Sequence, residues 1–197
     1  ELISHSLSRE CVLGKAMIAD FSGRGQVAIA LMEEFQLLND KTYSDWTIRL
    51  ADLYCRYDRL DDGIVLLEEL VRDQPNDLTR LNALGFRLVE ANRAIEQASI
   101  WLHRAYRLAP QSGFVTDSLG WLFFRKGRYH EALTFVRMAS FRNPNDPEIL
   151  RHLGDIYLKL GRKREAENVF QDALSKDPSF VLRKILRQRI ESFNEGF

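Results

Sequence analysis

The sequence predicts an all-α protein, a right-handed α-solenoid of helix-turn-helix repeats that ends in a C-terminal capping helix. Three observations support this fold class. The chain repeats itself at an offset of 34 residues, apolar residues within each copy recur at helical spacing, and prolines fall between the apolar segments. We therefore expect five helical pairs followed by a single helix, with almost no strand.

Residues 1–43 are interpreted as a degenerate helical pair. Helices are expected over Ser6–Phe21 and Gln26–Leu38, and the Gly-containing stretch 22–25 is expected to form the turn between them. This pair matches the pattern of the later repeats poorly, so we treat it as a separate segment.

Four repeats are expected over residues 44–180, in copies that cover 44–77, 78–112, 113–146 and 147–180. Five pairs of small or rigid residues, each separated by 34 positions, define the register: Gly120 and Gly154, Gly127 and Gly161, Ala132 and Ala166, Ala139 and Ala173, Pro144 and Pro178. The small residues allow two antiparallel helices to approach closely, and the proline ends the second helix.

The first two copies vary this pattern. In the earliest copy Ala51 takes the position of the glycine and Gly63 that of the alanine, so both positions stay small. In the next copy, Gly85 precedes Gly120 by 35 residues, whereas Ala98 precedes Ala132 by 34. One extra residue therefore lies between Gly85 and Ala98, and we place it in the turn Glu90–Arg93. Residues 181–197 are interpreted as an amphipathic helix that covers the core of the last repeat, with its Arg and Lys side chains in solvent.

Charge and composition exclude several classes of function. The 28 Lys and Arg balance 28 Asp and Glu, which removes the bulk attraction on which nucleic-acid and anionic-membrane binding depends. No apolar run reaches the roughly 20 residues of a transmembrane helix. Cys11 and Cys55 match no metal or disulfide spacing, and no histidine pairs with a nucleophile at a catalytic spacing. We therefore expect no metal, no cofactor and no enzyme activity.

The repeated residues resemble the tetratricopeptide repeat, whose pattern is a large residue, Leu-Gly and Tyr in the first helix and Ala, Phe, Ala and Pro in the second. The runs Leu81–Gly85, Asp117–Trp121 and His152–Asp155 further resemble the C-terminal repeats of bacterial multi-repeat proteins, many of which are envelope lipoproteins that scaffold partner enzymes. The chain also begins at Glu1 rather than Met, as a mature form or a fragment does. The resemblance favours a periplasmic or membrane-associated lipoprotein over a cytoplasmic protein.

The family implies a contact surface, because the first helix of each tetratricopeptide repeat lines the concave face. Its non-packing positions are Asp45, Ile48, Asp52, Cys55, Arg56, Thr79, Asn82, Phe86, Val89, Glu90, Phe114, Asp117, Trp121, Phe124, Arg125, Glu148, Arg151, Asp155, Leu158 and Lys159. Aromatic anchors ringed by polar groups are typical of binding hot spots. The predicted partner-binding residues are accordingly Asn82, Phe86, Phe114, Asp117, Trp121, Phe124, Arg125 and Arg151. The alternative is that these aromatic side chains pack between neighbouring first helices.

We therefore predict a scaffold or adaptor that binds another polypeptide in its groove. Trp121 and Arg125 are expected to lie one helical turn apart and to contact that partner. The clamp for a C-terminal carboxylate found in some members of the family is not expected, because only Asn82 has the required chemistry at the corresponding positions. Two alternatives stay open: a structural module that drives oligomerisation, and a non-catalytic part of a larger enzyme. The sequence leaves the oligomeric state open.

Overall fold

The computed structural model of the chain describes residues 8–38 and 44–194. These residues contain eleven α-helices and no strand: α1 Arg9–Phe21, α2 Gly25–Leu38, α3 Ser44–Arg56, α4 Leu60–Asp73, α5 Leu78–Glu90, α6 Ile95–Leu108, α7 Gly113–Arg125, α8 Tyr129–Arg142, α9 Pro147–Lys159, α10 Lys163–Ser175 and α11 Phe180–Asn194. Five pairs are followed by one further helix, which confirms the predicted helical architecture. The predicted start of the first helix at Ser6 lies outside the described residues.

The chain divides into two compact units, residues 1–67 and residues 68–197. In the first unit, buried side chains from α1, α2 and α3 form one core, in which Met32 and Leu50 are almost fully buried and Phe35 packs on Trp46 with ring centroids 4.6 Å apart. Tyr54 donates a hydrogen bond of 2.6 Å to Glu33 at the edge of this core. The degenerate N-terminal pair therefore contributes apolar and polar contacts of its own.

Each first helix ends in the same hydrogen-bonded motif. At the end of α7, Gly127 N–H donates to the carbonyl of Phe124 at 3.0 Å and Arg128 N–H donates to that of Phe123 at 2.9 Å. This pair of bonds is a Schellman motif and requires a left-handed residue, which Gly127 supplies with φ of 75°. Asp58 and Asn92 take the same place after α3 and α5, with φ of 64° and 56°.

The extra residue of the second repeat is Ala94, one position beyond the predicted turn. In the other hairpins the Schellman motif takes up all three turn residues, and after α5 it takes up Ala91, Asn92 and Arg93. Ala94 is therefore an additional residue between this motif and the start of α6. Its φ of 43° and ψ of 43° are left-handed, which costs a non-glycine residue about 1–2 kcal/mol. The insertion therefore lengthens the turn without changing either helix.

Small residues bring the two helices together in each of the four predicted repeats. A Cβ atom added at Gly120 would lie 2.6 Å from Val136 Cγ2, and one added at Gly154 would lie 2.4 Å from Phe170 Cε1. Gly63 in α4 meets the backbone oxygen of Ala51 in the same way, with a hypothetical Cβ 2.7 Å from that oxygen. The exchange of small residues between the two positions thus preserves the close approach.

Helix α11 packs on α10 through its apolar stripe. Leu182 and Leu186 are buried, and the ring of Phe193 lies 6.3 Å from that of Phe170. The amphipathic pattern therefore covers the last hairpin, as a capping helix does. None of the helices within residues 8–38 and 44–194 has the length and apolar character that crossing a lipid bilayer requires.

Candidate functional site

A cavity of about 520 Å³ opens in the second unit between three first helices and the capping helix. It is lined by side chains from α5, α7, α9 and α11: Glu90, Trp121, Phe124, Arg125, Arg151, Asp155, Leu158, Lys159 and Arg189. We call this cavity the first-helix pocket. Its lining combines aromatic and aliphatic surface with six charged side chains, a composition suited to a peptide segment rather than to a wholly apolar ligand.

Stacked rings form one wall of the first-helix pocket. Trp121 stacks on Phe124 of the same helix with centroids 4.3 Å apart and on His152 of α9 with centroids 4.1 Å apart. Only 5% of the Trp121 surface is exposed, and its indole Nε1 is buried without a hydrogen-bond partner among the described residues. An unsatisfied buried donor costs about 1–3 kcal/mol of stability. An apolar side chain of similar size would avoid that cost, so packing alone does not explain a tryptophan at position 121.

A buried hydrogen-bond chain supports that wall. His152 has no exposed surface, and its Nδ1 lies 2.8 Å from a carboxylate oxygen of Asp117 in α7. Its Nε2 lies 2.7 Å from Arg151 Nη2. Because a guanidinium only donates, Nε2 must accept, so Nδ1 carries the proton and donates to Asp117. The chain fixes the neutral tautomer of His152 and joins two successive first helices.

Arg151 is the centre of the charge network in the first-helix pocket. Its guanidinium donates to Asp155 and Glu148 at 3.1 Å each and lies 3.6 Å from a carboxylate oxygen of Glu90. Asp155 is also paired with Arg189 of the capping helix at 3.0 Å. Burial acts to raise the pKa of Glu148, but the charge of Arg151, its hydrogen bond and the neighbouring basic groups together outweigh burial, so the pKa is lowered overall. These contacts hold the charged part of the pocket in one geometry.

Arg125 and Lys159 differ from Arg151 in their surroundings. They lie in the last turns of α7 and α9, are exposed, and line the pocket beside Phe124 and Leu158. No acidic side chain of the described chain is within ion-pair distance of either cation. Both charges are therefore available to a ligand.

Comparison with known proteins identifies the repeat. A family model described as "Tetratricopeptide repeat" matches residues 118–179, which contain most of the pocket lining. The chain is 32% identical over 89 residues to the TPR repeat-containing protein PA4667 of Pseudomonas aeruginosa, and that stretch covers 45% of this chain. It is 26% identical over 133 residues to the TPR repeat-containing protein YpiA of Bacillus subtilis, covering 68% of this chain. Residues 118–179 therefore match the tetratricopeptide repeat, and the chain is similar to TPR repeat-containing proteins over a longer stretch.

Solved tetratricopeptide structures have the same fold. A thermophilic TPR protein of Thermus thermophilus superposes with a TM-score of 0.73 at 21% identity, covering 93% of this chain and 100% of that one. A tetratricopeptide repeat protein of Parabacteroides merdae gives a TM-score of 0.66 at 14% identity, covering 98% of this chain and 74% of that one. The matched stretches span only 15% and 31% of the lengths of the two curated relatives. Tetratricopeptide repeats generally bind protein partners, and proteins built from them are typically non-catalytic scaffolds.

In the structure, the predicted partner-binding residues fall into three groups by their surroundings. Those that line the first-helix pocket are Trp121, Phe124, Arg125 and Arg151. Two others lie behind it: Asp117 is hydrogen-bonded to His152, and the ring of Phe86 lies 5.8 Å from the imidazole. Phe114 is 56% exposed at the start of α7 and Asn82 has a buried Oδ1 without a partner among the described residues, and neither lines the pocket.

Trp121 itself packs between neighbouring first helices, as the alternative interpretation of the aromatic side chains expects. With 5% of its surface exposed it presents little more than an edge to the pocket, so Phe124 and Leu158 supply most of the accessible apolar surface. Sequence reasoning missed His152 and Arg189. The buried histidine could have been suspected from its place beside Arg151 on a first helix, whereas Arg189 lies outside the repeats and carries no register signal.

The described residues give no indication of a metal centre. Within residues 8–38 and 44–194, no group of three or more His, Cys, Asp or Glu side chains is arranged to hold a metal ion. His152, the most buried of the histidines described, uses both ring nitrogens in contacts with Asp117 and Arg151.

Proposed function

We propose that the protein is a scaffold that holds a segment of a partner polypeptide in the first-helix pocket. The observation that carries the proposal is the combination, in one cavity, of half-buried apolar side chains, Phe124 and Leu158, with the exposed cations Arg125 and Lys159. Binding hot spots have this form, with an apolar anchor surrounded by polar groups that exclude water.

The wall behind the pocket supports binding to a preformed surface. Trp121, His152 and Asp117 are all at least nine-tenths buried and are connected by stacking and hydrogen bonds across α7 and α9. A rigid wall lowers the entropy that is lost when a ligand orders flexible side chains. Trp121 then contributes mainly by holding Phe124 in place.

Site-specific photocrosslinking tests the proposal. A benzophenone amino acid at position 125 in the pocket should capture a polypeptide from a lysate of the source cell, and the same group at position 168 on the exposed side of α10 should not. The captured polypeptide is then purified and its affinity is measured by isothermal titration.

Two phenylalanines of α7 provide a matched pair for that titration. Phe124→Ala should weaken binding by about 2 kcal/mol, the cost of losing a hot-spot residue. Phe114→Ala, which removes an exposed ring at the other end of the helix, should leave it unchanged. Equal effects of the two substitutions, or equal capture from positions 125 and 168, would refute the proposed site.

A second candidate, self-association, is favoured by one observation on α8. Phe141 is 87% exposed and Met138 is 37% exposed, and with Thr134, Arg137 and Arg142 they line a shallow cavity of about 550 Å³. Their spacing of three and four residues makes a continuous stripe on one side of the helix. Multi-angle light scattering of the wild type and of Phe141→Asp tests this function, which is ruled out if the wild-type protein is a monomer at high concentration.

A further inference from the structure

The charge of the first-helix pocket differs from that of the chain as a whole. The chain has a formal net charge of zero. Four cationic and two anionic side chains line the pocket, which gives the lining a net charge of +2. A cleft with an excess of one charge raises the local concentration of ligands of the opposite charge. The pocket is thus a local attractor for anionic groups in a neutral protein.

The two carboxylates of the pocket are already engaged. Asp155 accepts from Arg151 and pairs with Arg189, and Glu90 pairs with Arg87 at 2.5 Å. Neither carboxylate is left to neutralise the remaining cations of the lining, Arg125 and Lys159. The excess positive charge is therefore concentrated on the exposed side chains of α7 and α9.

Arg125 and Lys159 occupy equivalent positions in successive repeats. Lys159 follows Arg125 by 34 residues, the length of one repeat. Glu90 precedes Arg125 by 35 residues, because that interval includes the inserted Ala94. Three successive first helices therefore present Glu, Arg and Lys at one equivalent position. The pocket is acidic at α5 and basic at α7 and α9, which gives a bound segment a preferred direction.

We infer that the first-helix pocket selects an acidic polypeptide segment, in which one apolar side chain contacts Phe124 and Leu158 while neighbouring Asp or Glu side chains pair with Arg125 and Lys159. The inference rests on the proposed function and adds the chemistry of the partner. Packed helices lie about 8–10 Å apart. Carboxylates two residues apart in an extended segment are about 7 Å apart on one side, so flexible Arg and Lys side chains can reach both.

The test uses a library of random peptides of about 12 residues, displayed on phage and selected against the 197-residue chain. In parallel it is selected against Arg125→Glu/Lys159→Glu and against the control Lys163→Glu/Arg187→Glu, which makes the same charge change at exposed positions outside the pocket. All four residues are exposed, and circular dichroism confirms that each variant is folded.

We expect the wild type and the control to enrich Asp and Glu next to an aromatic or aliphatic residue, and the pocket variant to lose that enrichment. Synthetic copies of a selected peptide should bind the pocket variant at least about tenfold more weakly than the wild type and the control variant within about twofold, because each reversal replaces an ion pair by a repulsion. Changing the peptide's Asp and Glu to Asn and Gln should weaken wild-type binding to a similar extent.

Three outcomes contradict the inference, and they are distinguishable. Selected peptides without acidic residues, or peptides whose affinity ignores Arg125 and Lys159 but falls with Phe124→Ala, would overturn the acidic partner and leave the proposed function intact. Peptides insensitive to both sets of substitutions, or no selected peptide at all, would overturn both. A single-stranded RNA of about 20 nucleotides that binds more tightly than the peptides, and through the same two cations, would show that the pocket serves a nucleic acid instead.

Discussion

Gly154→Ala is expected to destabilise the protein although alanine is the better helix former. In an unobstructed helix this substitution contributes about 1 kcal/mol of stability. At Gly154 the added Cβ would lie 2.4, 2.7 and 2.8 Å from three ring atoms of Phe170, whereas ordinary contacts are 3.4–4 Å. Phe170 has no exposed surface into which its ring could turn. Overpacking costs about 1–3 kcal/mol, and the upper end applies here, so we expect a net loss of about 2 kcal/mol.

Urea unfolding followed by circular dichroism measures this change. Gly14→Ala is the matched control, because Gly14 lies within α1 and an added Cβ would meet no atom within 4 Å. We expect that control to stabilise the protein by about 0.5–1 kcal/mol. Phe170→Leu should reduce the cost of Gly154→Ala when the two are combined, since the obstructing ring is then absent. If Gly154→Ala raises stability as Gly14→Ala does, the close packing of α9 against α10 is not the reason why position 154 requires a small residue.

Four further results are expected. Gly120→Leu should lower the free energy of unfolding by about 1–3 kcal/mol and lower the melting temperature, because the space beside Val136 is already filled. Ala94→Gly should raise the unfolding free energy by about 1 kcal/mol, since glycine adopts the left-handed backbone without strain; no gain in urea unfolding would argue against strain there. His152→Leu should cost at least about 2 kcal/mol by leaving the buried carboxylate of Asp117 unpaired, and a double-mutant cycle with Asp117→Leu should give a coupling energy of about 1–3 kcal/mol. Burial and a hydrogen bond to a carboxylate raise the pKa of Tyr54 from 10.0 to about 12, so its contribution to stability is complete below pH 10 and lost as pH rises to 12; Tyr54→Phe should make alkaline unfolding less steep over that interval.

The helical hairpins could be predicted because they depend on regularities that a sequence displays. The offset between Gly120 and Gly154 is set by the close approach of a first helix to the second helix of its own hairpin, and Gly85, Gly120 and Gly154 allow that approach in the same way. The turn after α5 shows the limit of this reasoning. An offset of 35 reveals that a residue has been inserted, but only the hydrogen bonds of the Schellman motif show that it is Ala94.

The candidate site was only partly predictable because it depends on contacts between repeats. The register places Trp121 on the surface that first helices share, yet its burial depends on how closely His152 approaches from the next repeat. The pairing of His152 with Asp117 likewise joins two positions that a pattern within one repeat treats separately. Arg189 belongs to a helix with no repeat register, so its contact with Asp155 required the three-dimensional structure.

Arg189 pairs with Asp155 and lines the first-helix pocket, so the capping helix belongs to the proposed binding site. A molecule in which α11 is detached from α10 has an incomplete pocket, so only the fraction with α11 docked is competent to bind. The apparent dissociation constant is then the intrinsic constant divided by that fraction. By the same thermodynamic linkage, a bound partner should slow hydrogen exchange at the amides of α11, although most of that helix does not touch the pocket. Substitutions in the apolar stripe of α11, such as at Leu186, would thus tune affinity from a position that the ligand never contacts.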